Sequence, residues 1–241
     1  IDLLIKGIDK AIHYSEDLRK ASTELTNQYK EEQESLDDSR QSYEELAQKM
    51  QNANLTTDEV KSNKEELSKI QQDLIDKFGL EAEGIDLVNG KYDEQIKKLD
   101  EIERQKAKDY VRNEQNNIGA DKDKINKQKE VTTRQPIYDT FTDNLLTDVL
   151  PSLQKSESSN TPTVFYSVKG NIGDLYEELT NAYDKIVKEK GINEQTQDSL
   201  DVINKLINGL KYDDYAQSLK NIKEYSKALV LSNNNYCRRR V

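Results

Sequence analysis

An apolar stripe with helical spacing runs through the first fifty residues and constrains the fold more than any other feature. Its members recur at intervals of three, four and seven residues: Leu18, Leu25, Tyr29, Leu36, Tyr43, Leu46 and Met50. This spacing places them on one face of a helix, whereas a strand would need strict alternation. Neither proline nor glycine interrupts the segment after Gly7. The pattern therefore predicts one long amphipathic helix with heptad-like stretches.

The composition agrees with long helices better than with a conventional globule. Hydrophobic and charged residues each make up 34% of the 241 residues, and the chain has no tryptophan. A helix needs only a stripe of apolar residues, so it tolerates such a mixture. Low hydrophobicity with a net charge of −10 also fits intrinsic disorder. The sustained periodicity favours helix, and we expect helix to exceed about 65% of the residues, against a usual share near one third.

A second helix is predicted after a short break at residues 52–54. Thr56 and Glu59 have the spacing of a capping box, which satisfies the free amides at a helix start. The helix should run from Asp58 to about Phe78 with one apolar face, formed by Val60, Leu67, Ile70, Leu74 and Phe78. Such a short break predicts that the helices fold back as a hairpin. A continuous rod with a local kink is the alternative.

The stretch Gly79–Gly90 holds three glycines and an Asn-Gly pair, which predicts a structured turn with Gly79 as helix cap. A third helix should begin near Lys91, with an apolar face formed by Tyr92, Ile96, Leu99 and Ile102. Beyond Asn116 the chain is helical by propensity but has few apolar residues. We expect Leu25, Leu36, Leu67, Leu74, Ile96 and Leu99 to face the core.

The middle of the chain is predicted to be a connection. Pro136 marks a boundary, a short helix covers Tyr138–Leu150, and the serine-rich stretch Ser152–Pro162 is a loop. Val164–Val168 has strand character, but it stands alone, so we expect an extended packing segment rather than part of a sheet. Within the last third, helical patterns cover Asp174–Glu189, Gln195–Leu210 and Tyr212–Leu231, with natural breaks at Gly191 and Gly209.

These patterns predict an all-α protein: an elongated helical hairpin or coiled-coil bundle followed by a smaller helical bundle. The expected division is 1–130 for the long helices, 131–163 for the short helix and linker, and 164–241 for the small bundle. Self-association is expected because the stripes are broader than one partner helix needs, and a closed monomer is the alternative.

No constellation of residues predicts catalysis or cofactor or metal binding. Gly84, Gly90 and Lys91 miss the P-loop spacing, and Tyr92 stands where that motif needs a small hydroxyl. A calcium loop starting at Asp121 would place Asn126 where glycine is required.

His13 is the sole histidine and is read as a helix-surface residue. Cys237 is the sole cysteine, which excludes an internal disulfide. We therefore predict a protein that is not an enzyme.

The charge and hydropathy restrict the partners. A net charge of −10 disfavours stable binding of nucleic acid, and Arg238–Arg240 is read as a solvated tail. No stretch approaches the roughly 20 apolar residues that cross a bilayer, so no membrane contact is expected. The start, Ile1–Ile5, has no signal pattern, and it reads as the edge of an internal fragment.

The segment from Glu65 to Glu101 resembles a recurrent module of phage tail tape measure proteins, of the type found in phages and prophages of Gram-positive bacteria. In that module a helix ends at a glycine turn, an I-D-x-x-N-G-x-Y element follows, and a long helix begins. The matching residues here are Gly79, Gly84, Ile85, Asp86, Asn89, Gly90 and Tyr92. As structural roles, Gly79 caps, Ile85 packs, Asn89 and Gly90 turn, and Tyr92 begins the next helical face.

The resemblance implies a structural scaffold of the tail. Such a protein sits in the growing tail tube, sets the tube length and is released ahead of the DNA. It implies location in the host cytoplasm during assembly and then in the virion tail, with tail tube proteins and other copies of the chain as partners. A cellular coiled-coil tether or adaptor without catalytic activity is the alternative.

Overall fold

A computed structural model describes residues 2–51, 54–128, 131–137, 146, 148–157 and 164–233. Within them lie seven α-helices: α1 Asp2–Met50, α2 Thr57–Phe78, α3 Tyr92–Glu114, α4 Ile118–Lys127, α5 Ile172–Lys190, α6 Glu194–Leu210 and α7 Tyr212–Asn233. A short 3₁₀ helix, Gly79–Ala82, follows α2. The described residues also form three strands: β1 Val131–Ile137, β2 Gln154–Glu157 and β3 Val164–Gly170. The all-α prediction is confirmed, because helix dominates the described residues well above the expected 65%.

The chain divides into two units, and the division differs from the three predicted segments. Unit 1 combines residues 1–119 with 221–241, and unit 2 comprises residues 120–220. The predicted linker at 131–163 supplies two strands of unit 2, and the predicted C-terminal bundle is shared between the units. Sequence spacing identified the helices but not which helix returns to which core, because that depends on contacts between residues far apart in the chain.

Unit 1 begins with a helical hairpin. The capping box at the start of α2 is present, with the Thr56 side chain accepting from the Glu59 amide and the Glu59 carboxylate accepting from the Thr56 amide. The Asn63 side-chain amide lies 3.8 Å from the Met50 sulfur, and the Lys77 ammonium lies 3.4 Å from the Glu31 carbonyl oxygen. Later residues of α2 therefore lie beside earlier residues of α1. The two helices are antiparallel, as the hairpin prediction requires, and do not form a continuous rod.

The core of unit 1 lies where the stripes of α1, α2 and α3 meet. Its buried members include Leu36, Tyr43, Leu46, Leu67, Leu74, Phe78, Leu99 and Ile102. Four of the six predicted core residues, Leu36, Leu67, Leu74 and Leu99, are buried. The other two, Leu25 and Ile96, are half-buried and pack against buried neighbours. The heptad-like stripe of α1 is therefore the face on which its partner helices pack.

A second cluster in unit 1 joins α1, α3 and the last part of α7. Tyr29, Ala107, Tyr110 and Ala228 are buried in it. The rings of Tyr29 and Tyr110 stack with centroids 4.4 Å apart. Asn221 donates through its side-chain amide to the Thr23 hydroxyl at 3.2 Å. Residues at opposite ends of the chain thus share one core.

Unit 2 contains a small antiparallel sheet with the strand order β1–β3–β2. This corrects three expectations: Val164–Val168 belongs to the central strand, Ser152–Pro162 contributes β2, and Pro136 lies within β1. The alternation of β3 is visible in its burial, since Tyr166 and Val168 are buried while Phe165 and Ser167 are partly exposed. β1 is an edge strand, where a proline that cannot donate is tolerated.

Helices α5 and α6 pack together and against the sheet of unit 2. Their buried residues form a core with those of the sheet and with Leu146 and Leu150. Its other members include Tyr166, Val168, Ile172, Leu179, Ile186, Leu200, Ile203 and Leu206. Asn171 caps α5 by accepting from the Gly173 amide, and Gly191 ends that helix. Gly209, however, lies inside α6. The break before α7 occurs instead at Lys211, which adopts a left-handed conformation with φ of 52°.

Some predictions fall outside the described residues. The predicted helix Tyr138–Leu150 is described only at Leu146 and from Asp148 onward, and Leu146, Asp148 and Val149 are helical. Cys237 and Arg238–Arg240 lie outside the described range, as does the side chain of His13. Among the helices that the structure does describe, we find none with both the length and the apolar character needed to cross a bilayer.

Truncation of a core side chain in unit 1 tests the packing. Leu99 is fully buried, so Leu99→Ala removes apolar contacts and leaves a cavity. We expect the free energy of unfolding of unit 1 to fall by about 2–5 kcal/mol. Leu229→Ala is the matched control, because Leu229 is 40% exposed and should change stability by roughly 0.5 kcal/mol or less. Urea unfolding followed by circular dichroism measures both variants, and equal losses would contradict this core.

Candidate functional site

The turn between α2 and α3 is the segment that the sequence singled out. The end of α2 lies beside Glu31 of α1, while Tyr92 at the start of α3 stacks on Tyr43, with ring centroids 5.5 Å apart. From Glu31 to Tyr43, α1 rises by about 18 Å. Residues 79–91 must cover this distance in the direction opposite to α2. The segment is therefore a crossover connection between two parallel helices that both run antiparallel to α1.

Two glycines of the crossover have backbone conformations that other residues rarely adopt. Gly79 is the cap of α2, as predicted, with φ of 57° and its amide donating to the Ile75 carbonyl. Gly84 has φ of 82°, and its carbonyl accepts from the Lys98 ammonium. Positive φ costs little only without a Cβ. These two positions turn the chain out of α2 and back along the bundle.

Asp86 organises the second half of the crossover. Its carboxylate accepts from the Asn89 amide at 2.9 Å, and its carbonyl accepts from the Gly90 amide at 2.8 Å. Its own amide donates at 2.8 Å to the side-chain oxygen of Gln95, a residue that is only 2% exposed. A carboxylate engaged in this way shapes a local turn. The Asn89–Gly90 turn is thus closed on both sides by Asp86.

Packing fixes the crossover against the helices. Ile85 and Leu87 are buried in the core of α1, α2 and α3. The Leu87 amide donates at 2.9 Å to the side-chain oxygen of Gln71 on α2. Tyr92 remains 39% exposed while it stacks on Tyr43. The seven motif residues therefore lie in one connecting segment, and the contacts given above for them stabilise a turn.

Gln71 and Gln95 are the functional partners of this turn that the sequence analysis missed. Gln95 precedes Leu99 by four residues and Ile102 by seven, so it lies on the apolar stripe of α3. A carboxamide at such a position signals a buried hydrogen bond, because a buried polar group needs a partner. Gln71 follows Leu67 by four residues, and the same spacing could have identified it.

Lys106 joins the beginning of the crossover to both long helices. Its ammonium lies 2.9 Å from the Glu81 carboxylate and 3.9 Å from that of Glu32, with the Phe78 ring centroid at 5.6 Å. Burial lowers the pKa of Lys106, but the hydrogen bond to Glu81 and the surrounding carboxylates outweigh it, so the pKa is raised. The lysine therefore stays charged and ties α1, α3 and the 3₁₀ helix together.

A polar layer joins α1 to the end of α3. The Ser22 hydroxyl donates to the Glu114 carboxylate, and Thr26 and Tyr110 share a hydrogen bond of 2.8 Å. The side-chain amide of Asn117 lies 3.4 Å from the second Glu114 oxygen. Ser22, Thr26 and Glu114 are fully buried. Such satisfied polar pairs favour one register between helices over its alternatives.

The described residues can be compared with the requirements of a metal site, and a groove lies between two of the helices. Among the described residues, no three histidine, cysteine, aspartate or glutamate residues are grouped so that they could hold a metal ion. A groove of about 290 Å³ lies between α1 and α2. Its walls carry charges of both signs, from Glu45, Lys49, Glu66 and Lys69, around Leu46 and Ile70. Adjacent opposite charges on helix surfaces are typical of solvated faces.

Comparison with known proteins adds no relative: no family model, no curated protein and no solved structure matches this chain.

The close approach at Gly90 can be tested with a pair of glycine variants. A methyl group at Gly90 would overlap the Asp86 carbonyl oxygen and the Gln95 side chain. We expect Gly90→Ala to lower the free energy of unfolding by about 1–3 kcal/mol. Gly119→Ala is the control, because open space surrounds Gly119 within α4, and alanine there should stabilise by roughly 0.5–1 kcal/mol. Chemical denaturation gives both values, and a neutral Gly90→Ala would refute the packed turn.

Alkaline pH should destabilise unit 1 through Tyr29. Burial, followed by the negative charge of Glu103, raises the pKa of Tyr29 above its ordinary value of 10.0. Its contribution is therefore complete below pH 10 and is lost as the pH rises, because the unfolded chain releases the phenolic proton first. Between pH 8 and pH 11, the free energy of unfolding should fall in both proteins. The fall should be about 1 kcal/mol smaller in Tyr29→Phe than in the parent chain.

Urea titrations at the two pH values measure this difference. Tyr14→Phe serves as the control for the removal of a phenolic hydroxyl, since Tyr14 is 66% exposed. An identical alkaline loss in the parent chain and in Tyr29→Phe would contradict the assignment.

Proposed function

We propose that this chain is a non-enzymatic structural scaffold, a segment of a phage tail tape measure protein that helps to set the length of the tail tube during assembly. The observation that carries the proposal is α1, an uninterrupted helix of 49 residues. At 1.5 Å per residue it covers about 74 Å. The pattern from Gly79 to Tyr92, which resembles a tape measure module, supports the same assignment.

A ruler needs a fixed relation between chain length and distance, and α1 supplies one. Backbone hydrogen bonds set its rise per residue, and the packing of α2 and α3 along its stripe resists bending. The hairpin and the crossover keep both partner helices alongside α1 rather than beyond its end. In this proposal α1 is the element whose length sets the distance, and α2 and α3 stiffen it by packing along its side.

The surface suits a protein that must be released from a tube. Charged residues make up 34% of the chain and its net charge is −10. A highly charged helical surface offers few apolar patches on which a tube wall could hold it, so detachment costs little. In this proposal the partners are tail tube proteins and further copies of the chain, in the host cytoplasm during assembly and then in the virion tail.

Deletion in the phage or prophage that carries the gene tests the proposal. In-frame removal of the 241 residues should shorten the tails by an amount on the order of the 74 Å that α1 covers. Electron microscopy of purified particles gives the distribution of tail lengths. A silently recoded gene is the control and should leave that distribution unchanged.

The result also separates this role from that of a cellular tether. Tails of unchanged length in particles that contain the shortened protein would overturn the ruler role. Absence of the intact protein from purified particles, shown by mass spectrometry, would favour a coiled-coil tether or adaptor in the cell.

A further inference from the structure

The sequence contains two Asn-Gly pairs, one at Asn89 and one at Asn208. An asparagine before glycine is especially prone to deamidation, because glycine has no side chain to obstruct the reacting backbone nitrogen. Asn208 and Gly209 lie inside α6, where backbone amides donate to the preceding turn of the helix. Asn89 and Gly90 lie outside the helices, and the Asn89 side chain is exposed. The contacts of the crossover therefore control the chemistry of this second pair.

Deamidation at Asn89 would proceed through a ring formed with the next residue. Hydroxide removes the proton of the Gly90 amide, and the Gly90 nitrogen attacks the side-chain carbonyl carbon of Asn89. A new C–N bond forms, the bond to the side-chain nitrogen breaks, and ammonia leaves. Water then opens the cyclic imide at one of its two carbonyls, which yields aspartate or isoaspartate. The reaction therefore requires that the Gly90 amide proton be accessible to solvent base.

The crossover holds that proton in a hydrogen bond. The Gly90 amide donates to the Asp86 carbonyl at 2.8 Å, so the bond must break before hydroxide can remove the proton. The Asn89 amide donates to the Asp86 carboxylate at 2.9 Å, which fixes the peptide on the other side of Asn89. Asp86 thus restrains the backbone both before and after the reactive side chain.

Gln95 holds this turn against α3. Its side-chain oxygen accepts from the Asp86 amide at 2.8 Å, and the residue is only 2% exposed. The same carboxamide lies so close to Gly90 that a methyl group on Gly90 would overlap it. Gly90 is therefore confined between the Asp86 carbonyl and a buried side chain. We call these contacts of Asp86 and Gln95 the clasp.

We propose that Asn89 is a modification site of this chain, deamidated through Gly90 only when the clasp is open. The closed clasp protects the pair because it holds the Gly90 amide proton. Local opening is enough for reaction, since it breaks a few hydrogen bonds of an exposed turn and leaves the helices folded. The inference goes beyond the proposed function and does not depend on it.

The product prevents the clasp from closing as before. Isoaspartate routes the backbone through the former side chain and adds one carbon atom between Asp86 and Gly90, so the hydrogen bond that joins them loses its spacing. Aspartate instead places a negative charge near the Asp86 carboxylate, and like charges repel each other. A single opening that leads to reaction is therefore recorded permanently in the chain.

Peptide mapping by mass spectrometry measures the conversion of each asparagine. The parent chain is incubated at mildly alkaline pH, folded in buffer and unfolded in guanidinium chloride. We expect Asn89 to convert at least about tenfold more slowly in the folded chain, because only the opened fraction reacts. Equal rates in the two samples would overturn the proposal.

Gln95→Ala removes one half of the clasp and should expose the site. We expect the folded variant to convert Asn89 several-fold faster than the parent chain does, while Asn208 in the same samples converts at its parent rate. Gln105→Ala is the matched control, because Gln105 is an exposed glutamine of the same helix and should leave both rates unchanged. An unaltered Asn89 rate in folded Gln95→Ala would contradict the role of the clasp.

Hydrogen exchange of the Gly90 amide, followed by NMR on the parent chain, decides the case even if Gln95→Ala does not fold. Exchange and deamidation both begin with removal of this proton. The amide should be protected at least about tenfold relative to the unfolded chain, and low concentrations of denaturant should raise both rates together. A Gly90 amide that exchanges at the unfolded rate would refute protection by the clasp.

Discussion

The packing of the heptad-like face of α1 is the interaction on which the rest of unit 1 depends. Helix α2 packs on it through Leu67 and Leu74, α3 through Leu99 and Tyr110, and the last part of α7 through Ala228. Each of these helices is amphipathic and charged, so none can bury its stripe alone. The order of contacts along α1 fixes the direction of its partners. The crossover after Gly79 exists because α2 and α3 run in the same direction along that face.

The helices of this chain could be read from sequence because their signals are local. The capping box at Thr56, the cap at Gly79 and the spacing of Leu67, Leu74 and Leu99 each depend on residues within a few turns. The sheet could not be read in this way. Val164–Val168 was recognisable as a strand, but its partners are mostly polar. In the case of β1, the pairing joins residues that lie 27 to 39 positions apart along the chain.

In the candidate site, too, local signals could be read from the sequence and contacts between distant residues could not. The glycines and Asn89 of the crossover were visible as turn residues, whereas Gln71 and Gln95, which bind its backbone, were not identified. Ser22, Thr26 and Glu114 were similarly passed over, although they occupy stripe positions of their helices. A polar residue on an apolar stripe can be an exposed interruption or a buried hydrogen-bonding group. Only the position of the partner helix distinguishes the two, and no local pattern supplies it.

The hydrogen bond between Asn221 and Thr23 joins residues 198 positions apart, and this separation has a consequence for synthesis. As the chain leaves the ribosome, α1, α2 and α3 emerge early and can pack at once, since their contacts are comparatively short in sequence. The cover of Tyr29 and Tyr110 is made last, after a further hundred residues. At the usual pace of roughly 5–20 residues per second, each nascent chain leaves this aromatic surface open for several seconds.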